Sequence, residues 1–401
     1  MQRGSPSGDD TQRPGSDLLM PSAATPSKIV FIVTEDWFFA SHFLPMARAA
    51  RELGMDVTVV TRIRRDAAAI EATGAVLIPL EAERRSLNPL KAMGVARRLA
   101  AILRTERPDI VHCIALKPIL LGGLAARLAG INRRVYALTG LGLIGAKEDA
   151  IGRAARAGVR AVIRGPLASK ATRYLFENSD DPLLLGLEPD AAEVTLVGGA
   201  GVDPAVYPEL PQPAFPPLRV ALVARMLWSK GIDLAVEAVQ LARQRGADVR
   251  LSLYGAPDPS NPKAVPLATL ARWSEMEGID WHGHAEYVVP IWRTHHVACL
   301  PSRGGEGLPR TLLEAAACGR AMVTTDVPGC RSFVRDGEDG IVVPPDDASA
   351  LADAFVQLAG APETVAAMGG SARARVLAGH TERQVMDTVK RLYGELLDLP
   401  R

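Results

Sequence analysis

The 401-residue chain holds no apolar run near the roughly 20 residues a bilayer crossing needs, so no segment reads as a membrane span. Its first 26 residues are rich in Gly, Ser, Pro and Asp and lack a continuous apolar stretch. They read as a disordered tail and not as a signal peptide, with Met20 an alternative start. No two of the four cysteines, at 113, 299, 318 and 330, stand at a CxxC spacing. They read as small apolar core residues of a reducing compartment. Formal net charge is only +1, so nothing global favours nucleic acid, and any anionic partner must be met by local patches. No Asp-x-Asp occurs, so no carboxylate pair marks a divalent-metal site. The segment 34–40 after the first apolar run contains no glycine, which argues against a dinucleotide fingerprint there. These absences describe a cytoplasmic protein with no resident cofactor or metal.

What is present is an α/β pattern given twice. The length exceeds what one core usually supports. The run Lys28–Thr34 is continuously apolar, as in parallel strands buried on both faces. A helix is predicted from Pro45, with Met46, Ala47, Ala50 and Leu53 inward and Gly54 ending it. Strands follow at 56–61, 76–80, 109–114, 134–139, 173–176 and 194–197, with helices at 89–105 and 118–129. Residues 204–217 hold six prolines and no apolar period, and read as a linker. The pattern restarts with strands at 219–224, 249–254, 279–282, 298–301, 321–325 and 340–343 and helices at 231–245, 264–277, 309–318 and 347–359. The expected organisation is a tail to residue 26, one α/β domain over 27–203, the linker, and a second over 218–381. A last helix within 382–401 is placed to cross back to the first domain. Ligands of such open sheets bind at the carboxyl ends of the strands.

One segment concentrates chemistry. The strand ending at Pro301 runs into Ser-Arg-Gly-Gly-Glu306-Gly-Leu-Pro-Arg-Thr-Leu-Leu-Glu314. Gly304, Gly305 and Gly307 let backbone approach a ligand, and Pro309 sits where a first helical residue belongs. Free N–H groups at such a helix start hold a diphosphate. Glu306 in the loop and Glu314 a turn inside the helix can reach hydroxyls on either side of it. Cations come from Ala224-Arg225-Met-Leu-Trp-Ser-Lys230-Gly231 at the end of the domain's first strand, where Arg225 and Lys230 can stabilise a leaving diphosphate.

Arg-x4-Lys-Gly at 225–231, Glu-x7-Glu at 306–314, Gly-Val-Asp at 201–203 and Asp-Val-Pro-Gly at 326–329 resemble the signatures of the retaining glycosyltransferases of family 4. The resemblance runs from Lys28 to about residue 395. It implies the GT-B fold, two Rossmann-like parallel-sheet domains facing each other across a cleft. By position it gives Arg225 and Lys230 to the diphosphate, Glu306 to the donor sugar and Glu314 to the ribose. Gly305, Gly307, Leu308, Pro309 and Arg310 complete the donor loop, and His282 and Gly283 fall where the family holds the nucleotide base. Trp281 is either a core residue or a base platform.

The loop Thr34–Ala40 lacks the Gly-Gly pair of many members. Its Glu-Asp-Trp and the later Ser-His resemble the capsule and O-antigen branch. Trp37, Phe38 and Phe39 are three adjacent aromatics in a predicted loop, facing acceptor or membrane or simply packing the loop. His42, His112, Lys117, Thr139 and Gly140 are expected at the cleft. His112 has the alternative of a core histidine, and Ile114 stands where the family has a second histidine. Arg153, Arg156, Arg160 and Arg164 recur at helical spacing in a stretch with no acidic residue. They form either a solvated face or a basic face for an anionic membrane or a lipid diphosphate. The resemblance implies transfer of a hexose or N-acetylhexosamine from a nucleotide sugar, UDP-linked, to an undecaprenyl-diphosphate-linked saccharide. That would take place at the inner face of the plasma membrane, with retention of configuration. The alternatives are a nucleotide-sugar epimerase or hydrolase of the same fold, or a transferase acting on a soluble acceptor.

Overall fold

Alternating buried strands and amphipathic helices leave two parallel sheets, each covered on both faces. The structure, a computed structural model, describes residues 26–80, 89–140, 150–258 and 261–399. The predicted tail, apart from residue 26, lies outside those residues. The first sheet contains β1 (Lys28–Glu35), β2 (Asp56–Arg62), β3 (Val76–Pro79), β4 (Ile110–Ile114), β5 (Arg134–Leu138), β6 (Thr172–Phe176) and β7 (Val194–Leu196). Its order is β3-β2-β1-β4-β5-β6-β7. The second contains β8 (Leu218–Val223), β9 (Val249–Tyr254), β10 (Ile279–Trp281), β11 (Val297–Leu300), β12 (Ala321–Thr325) and β13 (Gly340–Val343), in the order β10-β9-β8-β11-β12-β13. In both sheets the order reverses beside the first strand, the place where such sheets bind ligands.

The segment 36–39 is not a loop. Asp36–His42 forms a helix directly after β1, and Phe39 enters the core while Trp37 and Phe38 stay at the cleft. Leu53, expected inward, is 41% exposed, because the helix Leu44–Glu52 buries Met46, Ala47, Ala49 and Ala50 and stops before it. Among the described residues no helix is long and apolar enough to cross a membrane.

The C-terminal helix Glu382–Asp398 belongs to the first domain. It starts with a capping box, Thr381 and Gln384 each satisfying the other's backbone N–H. Its stripe of Val385, Met386, Val389, Leu392, Tyr393 and Leu396 joins the core formed by β1, β4 and the helix Leu44–Glu52. His112, expected at the cleft, is fully buried here with Nδ1 2.8 Å from the Tyr393 hydroxyl. Burial pushes its pKa down to about 3, so the ring is a neutral core group. Tyr393→Phe leaves that imidazole without its partner. Chemical denaturation is expected to show a loss of about 1–3 kcal/mol, with the ring packing retained.

Candidate active site

The carboxyl ends of the two sheets face each other across a cavity of about 1160 Å³. From the first domain the ends of β1, β4, β5 and β6 contribute Trp37, His42, Ile114, Thr139, Gly140 and Glu177. From the second, the ends of β8 and β11 contribute Arg225, Lys230 and the loop 303–311.

Lys230 is the last residue of a single 3-10 turn, Trp228–Lys230, and Gly231 after it has φ +67. A Cβ at Gly231 would lie 1.9 Å from the Pro301 carbonyl, so only glycine lets β8's exit pass β11's exit this closely. That crossing sets Lys230 Nζ at 2.6 and 2.7 Å from the two oxygens of Glu306, whose Oε1 also accepts from Ser302 Oγ at 2.7 Å. Arg303 fixes the loop's base, giving paired 2.8 Å bonds to Asp233. The helix Arg310–Ala317 starts after Pro309, which is the cap residue (ψ 118) and not the first helical one. No side chain caps this start, and Thr311 Oγ1 there is buried without a partner. An uncapped helix start beside Lys230 and Arg225 is a cradle for a phosphorylated ligand.

The structure brings some of the expected residues together and leaves others apart. Arg225, Lys230, Gly305, Glu306, Gly307, Leu308, Pro309, Arg310, Trp37, His42, Thr139 and Gly140 line this one cavity. Glu314 lies behind it, buried, its Oε1 accepting from Arg310 Nε (2.7 Å) and the Tyr207 hydroxyl (2.9 Å). Arg310 in turn donates to the Ser41 carbonyl of the opposite domain. Lys117, in the first turn of Leu116–Leu128, is half-buried beside the wall without lining it. His282 stacks on Tyr254 with centroids 4.6 Å apart, and Gly283's carbonyl accepts the Gly255 N–H. Trp281 donates Nε1 to the Gly255 carbonyl at 2.9 Å and packs on the core, so it is a structural residue. Arg164 donates to the Leu185 and Gly186 carbonyls, while Arg153 and Arg160 are exposed and Arg156 is half-buried.

His42 sits among Arg310, Lys230 and Arg225, with Nδ1 2.6 Å from Ser41 Oγ. Burial first, then those cations, lower its pKa to about 3, leaving an imidazole that stays neutral and resists protonation at neutral pH.

The residue that motif reading missed is Glu177, directly after β6. Its Oε2 accepts the Leu308 N–H at 2.9 Å, and neighbouring Asn178 Nδ2 reaches the Gly307 carbonyl at 3.4 Å. A Cβ at Gly307 would sit 2.0 Å from that same oxygen, so this glycine is the space through which the first domain grips the loop. Burial raises the Glu177 carboxyl to about 7, outweighing the Leu308 N–H. A carboxyl raised in the folded state contributes stability at low pH that is lost as pH rises from the ordinary carboxylate value through about 7. Thermal melts of wild type and Glu177→Gln should therefore diverge over that window, the variant becoming relatively more stable towards pH 7. A constant difference across the window would show that Glu177 does not titrate there.

Residues 28–175 match the family model "Glycosyl transferase 4-like", and residues 217–360 match "Glycosyl transferases group 1". A Campylobacter jejuni N,N'-diacetylbacillosaminyl-diphospho-undecaprenol alpha-1,3-N-acetylgalactosaminyltransferase is 25% identical over 75% of this chain and 81% of its own length. An exopolysaccharide phosphotransferase of Streptomyces coelicolor is 31% identical over 35% of this chain, a match spanning only 15% of that protein. The fold is also that of Anabaena HepE, solved in complex with UDP-glucose (TM-score 0.74, 14% identity, covering 92% of this chain and 99% of the other).

Proposed function

We propose that this chain, whose two domains match the glycosyltransferase 4-like and group 1 models, moves a hexose or N-acetylhexosamine from a UDP-sugar to a lipid-diphosphate-linked saccharide. The observation that carries this proposal is the Lys230–Glu306 pair, set at an uncapped helix start in the interdomain cleft. The relative from Campylobacter jejuni, by its name, builds on an undecaprenol-linked acceptor, and HepE was solved with UDP-glucose; both support the substrate classes.

In this scheme Lys230, Arg225, the Arg310 helix start and the Thr311 hydroxyl receive the diphosphate, so no divalent metal is required. Glu306 holds hydroxyls of the donor sugar, and its bond to Lys230 couples sugar position to phosphate position. The acceptor hydroxyl oxygen bonds to the anomeric carbon on the face from which the diphosphate leaves, and its proton passes to the departing phosphate oxygen. Configuration is thereby retained. Glu314 reaches the ribose only if Arg310 releases it, or else acts through Arg310. A peripheral seat on the anionic inner face of a plasma membrane suits the exposed Arg153 and Arg160 of the helix Ala150–Arg164.

The test is turnover of a panel of UDP-, GDP- and dTDP-sugars with and without a prenyl-diphosphate saccharide. Binding and turnover of none of them would overturn the proposal, and consumption without glycan gain would favour an epimerase or hydrolase. Glu306→Gln should lower kcat by about 100-fold, as for loss of a transition-state contact, while UDP affinity stays near wild type. Arg225→Ala should lower both.

A further inference from the structure

The Glu-Asp-Trp segment at 35–37 has an unexplained regularity. Each of its three side chains holds an arginine, or a stretch of backbone bearing arginines, at the rim of one cavity. Glu35 Oε1 lies 3.3 Å from Arg62 Nη1. Asp36, fully buried, accepts on Oδ2 the N–H groups of Arg64 (2.6 Å), Arg65 (2.9 Å) and Asp66 (3.1 Å). The Arg225 guanidinium stands 5.8 Å from the centre of the Trp37 ring. Arg62, Arg64, Arg65 and Arg225 all line a cavity of about 1280 Å³ that adjoins the one above at Glu35, Trp37 and Arg225. Among the described residues the carboxylates on its lining are Glu35, which faces Arg62, and Asp258; Tyr254 and His284 are the other titratable groups there, and Asp66 Oδ2 lies 3.4 Å from Arg65 Nε.

We propose that the part of this rim built by Arg62, Arg64 and Arg65 is a second anion site, shaped for the phosphate or diphosphate of the acceptor; it adjoins the donor-diphosphate cradle at Lys230 and the loop 304–311, with Arg225 at the boundary between the two. Calling its ligand the acceptor's rests on the transferase reading above; the anion site itself does not. Arg64 and Arg65 come from the first domain, while the donor cradle is built from the second. Exposed arginines on a loose loop would spend much of any binding energy on ordering. Here the Asp36 carboxylate has already fixed three successive backbone groups, so the guanidinium forks are presented on a set loop. Burial works to raise the Asp36 pKa, but the four N–H groups it accepts, including that of Trp37, hold it below the ordinary value. The clamp therefore stays charged at neutral pH.

The probe is inorganic pyrophosphate titrated calorimetrically into the full chain saturated with UDP. Wild type should take up one further equivalent. The double variant Arg64→Ala/Arg65→Ala, which leaves the backbone clamp intact, should bind it about 10-fold or more weakly, the loss of one or two charge-assisted hydrogen bonds. UDP affinity should not change. No uptake by the UDP-saturated wild type overturns the proposal, as does a parallel fall in UDP affinity, which would assign these arginines to the donor. If UDP itself does not bind, the transferase reading fails. Pyrophosphate titrated alone then decides the anion site: a loss in the double variant supports it, and equal binding overturns it.

Discussion

A lysine ammonium and a glutamate carboxylate in contact at the mouth of two facing sheets organise the cleft. Lys230 and Glu306 come from positions 76 residues apart, and each is largely covered. Paired charges with little solvent around them attract strongly and are costly to separate. Removing either therefore leaves an uncompensated charge in the place where a ligand's own phosphates and hydroxyls would enter. In the proposed function a phosphate competes for the ammonium and sugar hydroxyls compete for the carboxylate, so a nucleotide sugar would satisfy both together, which a nucleotide or a sugar alone would not.

The pair depends on backbone geometry that the side chains do not create. Gly231 lets the two strand exits cross, and Gly307 makes room for a glutamate from the other domain. The loop carrying Glu306 is thus held from its own domain by Ser302 and Arg303, and from the opposite domain by Glu177 and Asn178. The C-terminal helix, packed on the first sheet through Val389 and Leu392, ties the chain's end to the domain where it began. The geometry of this loop therefore rests on both domains, and the buried Glu177 is one of its contacts from the first.

Much of this organisation was legible from residue pattern. Strands buried on both faces announce themselves as apolar runs, so β1, β9 and β12 begin and end within a residue or two of expectation. The glycine-flanked Glu306, Pro309 and Lys230-Gly231 were legible because each residue type answers a local backbone demand. What escaped has equally physical reasons. Asp36–His42 is two turns long with three aromatics, too short for a period to show. Pro362–Gly379 mixes Ala and Gly without apolar contrast and gave no stripe to read. His112 and Glu177 both follow apolar strand residues. Whether such a group meets a tyrosine 281 residues away or a loop N–H 131 residues away depends on tertiary assembly.

The central claim, that the Lys230–Glu306 pair marks the sugar-diphosphate site, is tested most directly by a crystal structure with a non-hydrolysable UDP-sugar. The account predicts diphosphate oxygens within roughly 3 Å of Lys230 Nζ and of the Arg310–Thr311 N–H groups, with sugar hydroxyls on Glu306. A diphosphate bound elsewhere in the cleft, with the Lys230–Glu306 pair undisturbed and out of contact, would contradict it.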